Sequence, residues 1–248
     1  MDGTTRTVFV VDGWRDSRLM MSSRLSGAGY QVRSFESAEC FLAAQDAWTP
    51  GCILLDVALP GMSGLELQRF LRESPLARPM VFLTAKGDIQ SGVHAMKSGA
   101  VDFLTKPTEE VRLHAAIDLA LRRDDVERLQ RAARRMIEER FSSLTSRERQ
   151  VMAGIMRGRL NKQIAAEIGI GEKTVKVHRA RVMSKMAVRS VAELVHLAMR
   201  LDFVDEIKRL ACTPADPDAN RLFRQRAYRF TENIREVRLA HAFHMHLS

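Results

Sequence analysis

Three short runs of consecutive apolar residues constrain the fold of this chain more than any other feature. They cover residues 8–11, 52–55 and 80–83. Strands of a parallel sheet are buried on both faces and have this continuous apolar pattern, whereas half-exposed strands alternate apolar and polar residues. Segments with helical periodicity occupy much of the remaining first half, at about 17–27, 37–47, 64–73, 89–98 and 109–123. The alternation of strands and helices predicts a doubly wound α/β domain with a parallel sheet.

A polar residue follows each of these predicted strands. Asp12, Asp56 and Thr84 come directly after the three runs, and Lys106 follows a fifth strand predicted at 102–105. Open α/β sheets bind ligands at the carboxyl ends of their strands, so we expect the four side chains to converge there. Such a group is suited to phosphoryl transfer, with Asp56 as a nucleophile that forms an acyl phosphate. Lys106 and a divalent cation would then neutralise the negative charge on the phosphoryl oxygens. Thr84 would donate a hydrogen bond to one of these oxygens.

The residues around these positions resemble the motifs of a two-component response-regulator receiver, over about residues 6–124. The motifs are Val11-Asp12, the segments 54–64 and 103–107, and Leu83-Thr84-Ala85. The resemblance implies a flavodoxin-like receiver at 1–124 with strand order 2-1-3-4-5. It also implies phosphorylation of Asp56 by a sensor histidine kinase, with Mg²⁺ held by Asp12 and Asp56. Thr84 and Phe103 are expected to rearrange when Asp56 is phosphorylated.

One position departs from the receiver pattern. Gly13 stands where receivers usually carry a second acid after the first strand, and Trp14 follows it. The loss of a carboxylate is expected to weaken Mg²⁺ binding, although water could fill the vacant position. Two interpretations stay open: a phosphorylation-controlled receiver, and an atypical receiver controlled by dimerisation, a ligand or a partner protein. Trp14 would either cap the site or lie on the surface as an exposed aromatic residue.

The second half of the chain is basic. Residues 1–124 contain 14 basic and 15 acidic residues, whereas residues 125–248 contain 25 basic and 15 acidic residues. A neutral half joined to a basic half is typical of a regulatory domain joined to a domain that binds a polyanion. Four helices are expected in this half. A capping box of Thr145 and Glu148 opens the first, Asn161 caps the second and Gly169 ends it. A capping box of Ser190 and Glu193 opens the fourth.

The third of these helices has two different faces. Val175, Val182 and Met186 form an apolar stripe that we expect to face the core. His178 lies at the edge of this stripe and is a candidate DNA contact, as likely to pack or to contact a phosphate as to read a base. Cations and small apolar groups on the opposite face suit the major groove, where Lys176 can reach guanine and where Val177 and Ala180 can contact thymine methyl groups. The remaining candidates, for phosphate contact, are Lys162, Lys173, Thr174, Arg179 and Arg181.

Residues 142–203 resemble a LuxR-type helix-turn-helix domain. The matching segments are 144–151, 161–165 and 174–178. The resemblance implies binding to double-stranded DNA as a homodimer, with contacts between fourth helices formed by Val191, Leu194, Val195 and Ala198. A receiver followed by this module is similar to FixJ/NarL-type response regulators, which regulate transcription and are not enzymes.

Two segments lie outside these domains. Residues 125–141 are predicted to form a helical linker whose apolar stripe (Val126, Leu129, Ala133 and Met136) either pairs across a dimer or packs on its own receiver. Residues 204–248 are predicted to form a helical extension. The sequence contains no signal peptide and no apolar run long enough to span a membrane, so a cytoplasmic protein without a membrane partner is expected. The lack of a Gly-rich phosphate loop argues against an enzyme that acts on a small phosphorylated substrate.

Overall fold

In a computed structural model, residues 6–44, 49–72, 74, 76–85 and 89–199 are described, and these residues form two units. The boundary between the units lies between Glu127 and Arg128. The predicted extension at 204–248 lies outside the described residues.

The first unit is a five-stranded parallel sheet with helices between the strands. The sheet order is β2-β1-β3-β4-β5, which confirms the expected topology. The elements are β1 (Thr7–Val11), α1 (Arg15–Gly27), β2 (Gln31–Phe35), α2 (Ala38–Ala44), β3 (Gly51–Leu55), α3 (Gly64–Arg72), β4 (Met80–Thr84), α4 (Ile89–Lys97), β5 (Asp102–Thr105) and α5 (Glu110–Ser142). The residues of α5 from Arg128 onwards belong to the second unit.

Each face of the sheet has its own hydrophobic core. Val8 and Val10 of β1 pack in one cluster with residues of α1 and α5. Phe9 and Val11 pack in the other cluster with residues of α2, α3 and α4. Every residue of β1, β3 and β4 is buried, because successive side chains of a strand point to opposite faces and both faces are covered. This explains why the apolar runs are continuous.

The edge strand β2 was not located from the sequence. Its residues are exposed or half-buried, so it has no continuous apolar run. Helix α5 continues from the receiver through the predicted linker at 125–141 without interruption. Asp124 is buried in this helix, and its carboxylate accepts a hydrogen bond from the backbone N–H of Gly51 at 2.9 Å.

The second unit contains four further helices around one core. They are α6 (Ser146–Met156), α7 (Asn161–Ile168), α8 (Glu172–Lys185) and α9 (Val191–Met199). The core includes Val151, Ile164, Val175 and Val182, all with 0 % exposure, as the apolar stripes predict. No helix in the described part of the chain is long and apolar enough to cross a membrane.

The ends of these helices test the capping predictions. Thr145 and Glu148 form the predicted capping box at the start of α6. Gly169 ends α7 in the left-handed conformation, with φ of 70°, which glycine adopts without steric cost. The prediction that Asn161 caps α7 is wrong, since Leu160 occupies the cap position and Asn161 is the first helical residue. At α9 the predicted capping box forms only in part. The Ser190 hydroxyl accepts a hydrogen bond from the backbone N–H of Glu193, but the Glu193 carboxylate accepts from the backbone N–H of Arg189 instead of that of Ser190.

Candidate functional site

The four residues at the strand ends lie at the carboxyl-terminal edge of the sheet and are here called the crevice: Asp12, Asp56, Thr84 and Lys106. Parallel pairing of β1 with β3, of β3 with β4 and of β4 with β5 brings these strand ends to one edge. Lys106 Nζ donates to Asp12 Oδ2 at 2.6 Å and to Asp56 Oδ2 at 2.9 Å. The side chains of Asp12, Asp56 and Lys106 are 5 %, 4 % and 17 % exposed. The structure therefore brings two carboxylates and one ammonium group into direct contact.

The ion pairs decide the protonation states in the crevice. Burial by itself would raise the pKa of Asp12, but hydrogen bonds from Lys106 and Ser17 outweigh burial and hold this pKa below its ordinary value. Burial would likewise lower the pKa of Lys106, but hydrogen bonds and attraction from Asp12 and Asp56 raise it. Asp12 is consequently anionic and Lys106 cationic at neutral pH.

Ser17 belongs to the same network and was missed from the sequence. Its hydroxyl donates to Asp12 Oδ2 at 2.6 Å and accepts from Lys106 Nζ at 3.0 Å. The available signal was its position in the first turn of the helix that follows β1, because that turn starts at the carboxyl edge of the sheet. Ser17 orients the Asp12 carboxylate and the Lys106 ammonium relative to each other.

Each carboxylate oxygen in the crevice already accepts a hydrogen bond. Asp12 Oδ1 accepts from the backbone N–H of Trp14 at 2.8 Å, and Asp56 Oδ1 accepts from that of Ala58 at 3.1 Å. The Oδ2 atoms accept from Lys106. Among the residues that the structure describes, no group of three His, Cys, Asp or Glu side chains could hold a metal ion. The donor set for a cation at this place is two carboxylates.

A side chain at position 13 would meet Pro60. A Cβ added to Gly13 would lie 2.8 Å from Pro60 Cδ, which is closer than such atoms approach one another. Pro60 is part of the loop that follows Asp56, so an acid at position 13 requires this loop to move. Trp14, by contrast, is 73 % exposed and lies on the surface, so the interpretation that it caps the crevice is not supported.

Thr84 and Phe103, which are expected to rearrange together, have different environments. Thr84 is buried at the end of β4, with 1 % exposure. Phe103 in β5 is half-buried, and its ring centroid lies 5.9 Å from that of Phe82. A Cβ added to Gly92 of α4 would lie 3.4 Å from Phe103 Cδ1, so the ring packs beside α4. Phe103 therefore contacts both the sheet and α4.

In the second unit, the exposed side of α8 carries most of the candidate DNA contacts. We call this side the recognition face: Lys173, Thr174, Lys176, Val177, Ala180 and Arg181. Lys173 and Arg181, together with Lys162 of α7, form no ion pair with another described residue. Lys176 pairs with the exposed Glu172 at 3.6 Å and with no other residue in the described ranges. Such cations are available to a polyanion.

Two other candidates are less accessible. Arg179 is half-buried, and its Nη1 donates to Asn161 Oδ1 at 3.2 Å, so it ties α8 to α7. His178 is half-buried, and its Nδ1 is buried without a hydrogen-bond partner. Both lie beside the recognition face rather than on it.

The residues of α9 do not all have the predicted role. Leu194 and Ala198 are 0 % and 1 % exposed within the core of their own unit, so the prediction that they form dimer contacts is wrong. Periodicity shows that they share a face with Val191, but it does not show which surface covers that face. Val191 and Val195 are half-buried. Val126, Leu129 and Met136 of the α5 stripe are exposed, and Ala133 is half-buried.

Comparisons with known proteins agree with this arrangement. The family model described as the response regulator receiver domain matches residues 8–118, and that of the bacterial regulatory proteins of the luxR family matches residues 142–198. The transcriptional regulatory protein FixJ of Bradyrhizobium diazoefficiens is 40 % identical over 80 % of this chain and 97 % of its own length. The chain belongs to the FixJ family of two-component response regulators.

Other response regulators also match most of this chain. The response regulator protein TodT of Pseudomonas putida is 40 % identical over 81 % of this chain and 88 % of its own length. Among solved structures, the response regulator StyR is 46 % identical, covers 79 % of this chain and 99 % of its own, and superposes with a TM-score of 0.68. Proteins of the FixJ family are DNA-binding transcription regulators and not enzymes, as expected from the sequence.

A partly buried ion pair joins α6 and α8 in the LuxR-type domain of this FixJ-family chain. Lys185 Nζ donates to Glu148 Oε2 at 2.7 Å, and the Glu148 side chain is 2 % exposed. The hydrogen bond from Lys185, with further bonds from Thr145, lowers the pKa of Glu148 from 4.5 to about 2 in spite of its burial. The pair holds the end of α8 against α6.

Lys185→Met is expected to destabilise the second unit by about 1–2 kcal/mol at pH 7 because it leaves Glu148 buried without its cation. A carboxyl whose pKa is lowered on folding stabilises the fold above its unfolded pKa, and this contribution disappears as the pH falls from about 4.5 to about 2. Urea unfolding followed by far-UV circular dichroism at pH 7 and pH 3 measures the effect, with the exposed Lys162→Met as the control. An equal loss at both pH values would contradict the ion-pair explanation.

Proposed function

We propose that Asp56 is the phosphoacceptor of this response regulator and that its phosphorylation controls DNA binding by the LuxR-type domain. The observation that carries the proposal is the contact of 2.9 Å between Lys106 Nζ and Asp56 Oδ2 at the edge of the sheet. A carboxylate oxygen of Asp56 attacks the phosphorus atom of the donor, a new O–P bond forms, and the bond to the donor's leaving group breaks. Lys106 then pairs with the added negative charge, and Thr84 donates to a phosphoryl oxygen. A sensor histidine kinase is the expected donor.

The two carboxylates of the crevice supply part of the oxygen ligands that Mg²⁺ needs. This ion keeps several waters and is commonly held by one or two carboxylates together with phosphate oxygens, so Asp12 and Asp56 would hold it. When bound, it would neutralise charge on the phosphoryl oxygens. The missing acid at position 13 and the contacts of both Oδ2 atoms with Lys106 favour weak binding.

A second function is favoured by the contact that a side chain at position 13 would make with Pro60. Because Pro60 occupies the space next to Gly13, the crevice has no position for a further acid without movement of the loop. An input that needs no phosphorylation, through dimerisation, a ligand or a partner protein, is the alternative to phosphorylation of Asp56.

The two functions are separated by incubation of the full chain with acetyl phosphate, with and without Mg²⁺. If Asp56 is phosphorylated, intact mass spectrometry is expected to detect one added phosphoryl group on the wild-type chain and none on the Asp56→Asn variant. Size-exclusion chromatography with light scattering on the same samples reports the oligomeric state. An unmodified chain in millimolar Mg²⁺, together with intact DNA binding, would establish the alternative.

Gly13→Asp by itself is expected to bring little gain in Mg²⁺ affinity, because the new Cβ would meet Pro60 Cδ at 2.8 Å. Gly13→Asp combined with Pro60→Ala removes this contact and is expected to strengthen Mg²⁺ binding on the order of tenfold. Isothermal titration of the single and double variants with Mg²⁺ checks the result, and Pro60→Ala alone is the control. Equal affinities of the Gly13→Asp variant and the double variant would show that Pro60 does not limit the site.

DNA is contacted through the recognition face of α8, which enters the major groove. Lys176 reads a base edge with Val177 and Ala180 beside it, while Lys162, Lys173, Thr174 and Arg181 contact phosphates. The protein acts as a homodimer in the cytoplasm, with the exposed α5 stripe as a candidate contact between copies. The receiver extends over residues 1–124, the linker over 125–141 and the DNA-binding domain over 142–203, followed by the extension at 204–248.

A further inference from the structure

The two ring nitrogens of His178 in α8 lie in different environments. The side chain is half-buried, and its Nδ1 is buried without a hydrogen-bond partner. Nε2 has no partner among the described residues either, but it is not buried and is in contact with solvent. A ligand can therefore approach this ring at Nε2 and not at Nδ1.

The position of His178 on the helix explains this difference. Val175 lies three residues before it and Val182 four residues after it, and both are 0 % exposed in the core of the second unit. Residues at these spacings lie next to one another along a helix. One side of the imidazole ring thus borders the apolar core, while the other side faces outwards.

The burial of Nδ1 selects one tautomer of the neutral ring. One nitrogen of a neutral imidazole carries a proton and donates, while the other nitrogen accepts. A proton on Nδ1 would form a buried N–H group without an acceptor, and such groups are rare in native proteins because they have lost their hydrogen bonds to water. A proton on Nε2 can donate to water or to a ligand. His178 consequently presents Nε2–H to the outside of its domain.

Two candidate phosphate contacts lie along the same edge of α8. Thr174 precedes His178 by four residues and Arg181 follows it by three, so the three side chains form a row on the helix surface. Both are exposed on the recognition face, and His178 lies beyond them, between that face and the core. When a helix lies in the major groove, its central face meets the base edges and its borders meet the phosphates. The position of His178 thus favours a phosphate over a base.

We infer that His178 contacts a DNA phosphate as a neutral donor: Nε2–H donates to a phosphate oxygen, while Nδ1 remains without a proton against the core. This inference rests on the proposed binding of DNA by α8 and assigns the role of His178 within it. A hydrogen bond to an ionised oxygen is stronger than one between neutral groups. A neutral donor releases no counterion from DNA, so it adds affinity without adding to the salt dependence that lysine and arginine contacts produce.

Substitution by asparagine and by glutamine tests which nitrogen is used. The amide nitrogen of asparagine takes the place of Nδ1, and that of glutamine takes the place of Nε2. Fluorescence anisotropy of the full chain measures binding to a duplex selected from a random library and to its single-base variants, at about pH 8, where unperturbed imidazole is neutral.

His178→Asn is expected to weaken binding to all of these duplexes about tenfold, since one hydrogen bond to a charged group is lost. His178→Gln, which restores a donor at the place of Nε2, is expected to bind about tenfold more tightly than His178→Asn. His196→Asn, which changes an exposed histidine of α9, is the matched control and is expected to have no effect.

Arg181→Gln separates this inference from the proposed contact of α8 with DNA. Loss of this cation is expected to weaken binding and to reduce the slope of log affinity against log salt by about one. His178→Asn is expected to leave the slope unchanged. If Arg181→Gln weakens binding but His178→Asn does not, the inference about His178 fails and the proposed role of α8 stands. If neither variant weakens binding, this edge of α8 does not face DNA, and both fail.

The tautomer is measured directly in the free chain. Nitrogen-15 chemical shifts of histidine rings distinguish a protonated Nε2 from a protonated Nδ1, and the signal that disappears in His178→Gln belongs to His178. A protonated Nε2 is expected. Far-UV circular dichroism checks that the variants fold, and if His178→Asn does not fold, the ring signal of the wild-type chain still tests the tautomer. A protonated Nδ1, equal affinities of the asparagine and glutamine variants, or a loss in His178→Asn that is confined to one base position would overturn the inference.

Discussion

Gly64→Ala is expected to destabilise the first unit by about 3 kcal/mol or more, because the added methyl group has no space. A Cβ on Gly64 would lie 2.2 Å from the carbonyl oxygen of Asp56 and 3.2 Å from Leu55 Cγ. The backbone N–H of Gly64 also donates to the carbonyl of Val57 at 3.0 Å, which holds α3 against this loop. Relief of the overlap requires the backbone of Asp56 to move, which would displace its carboxylate from Lys106.

Tryptophan fluorescence during urea unfolding measures this loss, since both tryptophans of the chain, Trp14 and Trp48, belong to the receiver half of the sequence. Gly27→Ala is a matched control, because it also replaces a helical glycine, but its Cβ would meet nothing within 4 Å. The control is expected to stabilise the unit by about 0.5–1 kcal/mol. Similar unfolding midpoints of the two variants would show that the loop around Asp56 adapts freely to the methyl group.

Lys176→Glu is expected to weaken DNA binding by about 3–4 kcal/mol, or on the order of several hundredfold, at low salt. Lys176 is exposed on the recognition face, so its replacement removes a cation from the DNA and places a carboxylate there. Glu172, 3.6 Å from the Lys176 ammonium, would then face a second negative charge. Fluorescence anisotropy with a duplex selected from a random library measures the affinity at two salt concentrations.

Arg69→Glu controls for the change in net charge, because it makes the same change of two charge units on an exposed residue of the other unit. The companion variant Lys176→Ala separates two roles of this lysine. If Lys176 contacts a base edge, Lys176→Ala is expected to lower the DNA-binding free energy by about 1–3 kcal/mol at one base position only. Equal weakening of all sequences, with a shallower salt dependence, would instead identify Lys176 as a phosphate contact.

Most of the crevice could be predicted from the sequence, but its detailed contacts could not. Asp12, Asp56 and Lys106 were identifiable because each follows a strand, and parallel strands end at one edge. The role of Ser17 was not visible, because its partner Lys106 is 89 residues away. The conflict between Gly13 and Pro60 depends on two loops that are neighbours only in the folded chain, so no local pattern indicates it.

The sequence by itself determined which segments are strands and helices wherever burial is continuous or periodic, as in β1, β3, β4 and α8. It also determined the helix ends at Thr145 and Gly169, because capping is a local interaction between residues a few positions apart. The tertiary structure alone decided the position of the polar edge strand β2 and the burial of Leu194 and Ala198 within their own unit. It also decided that Val126, Leu129 and Met136 of α5 are exposed. A periodic apolar face shows that a surface is to be covered, whereas the covering residues come from distant parts of the chain and are selected by packing.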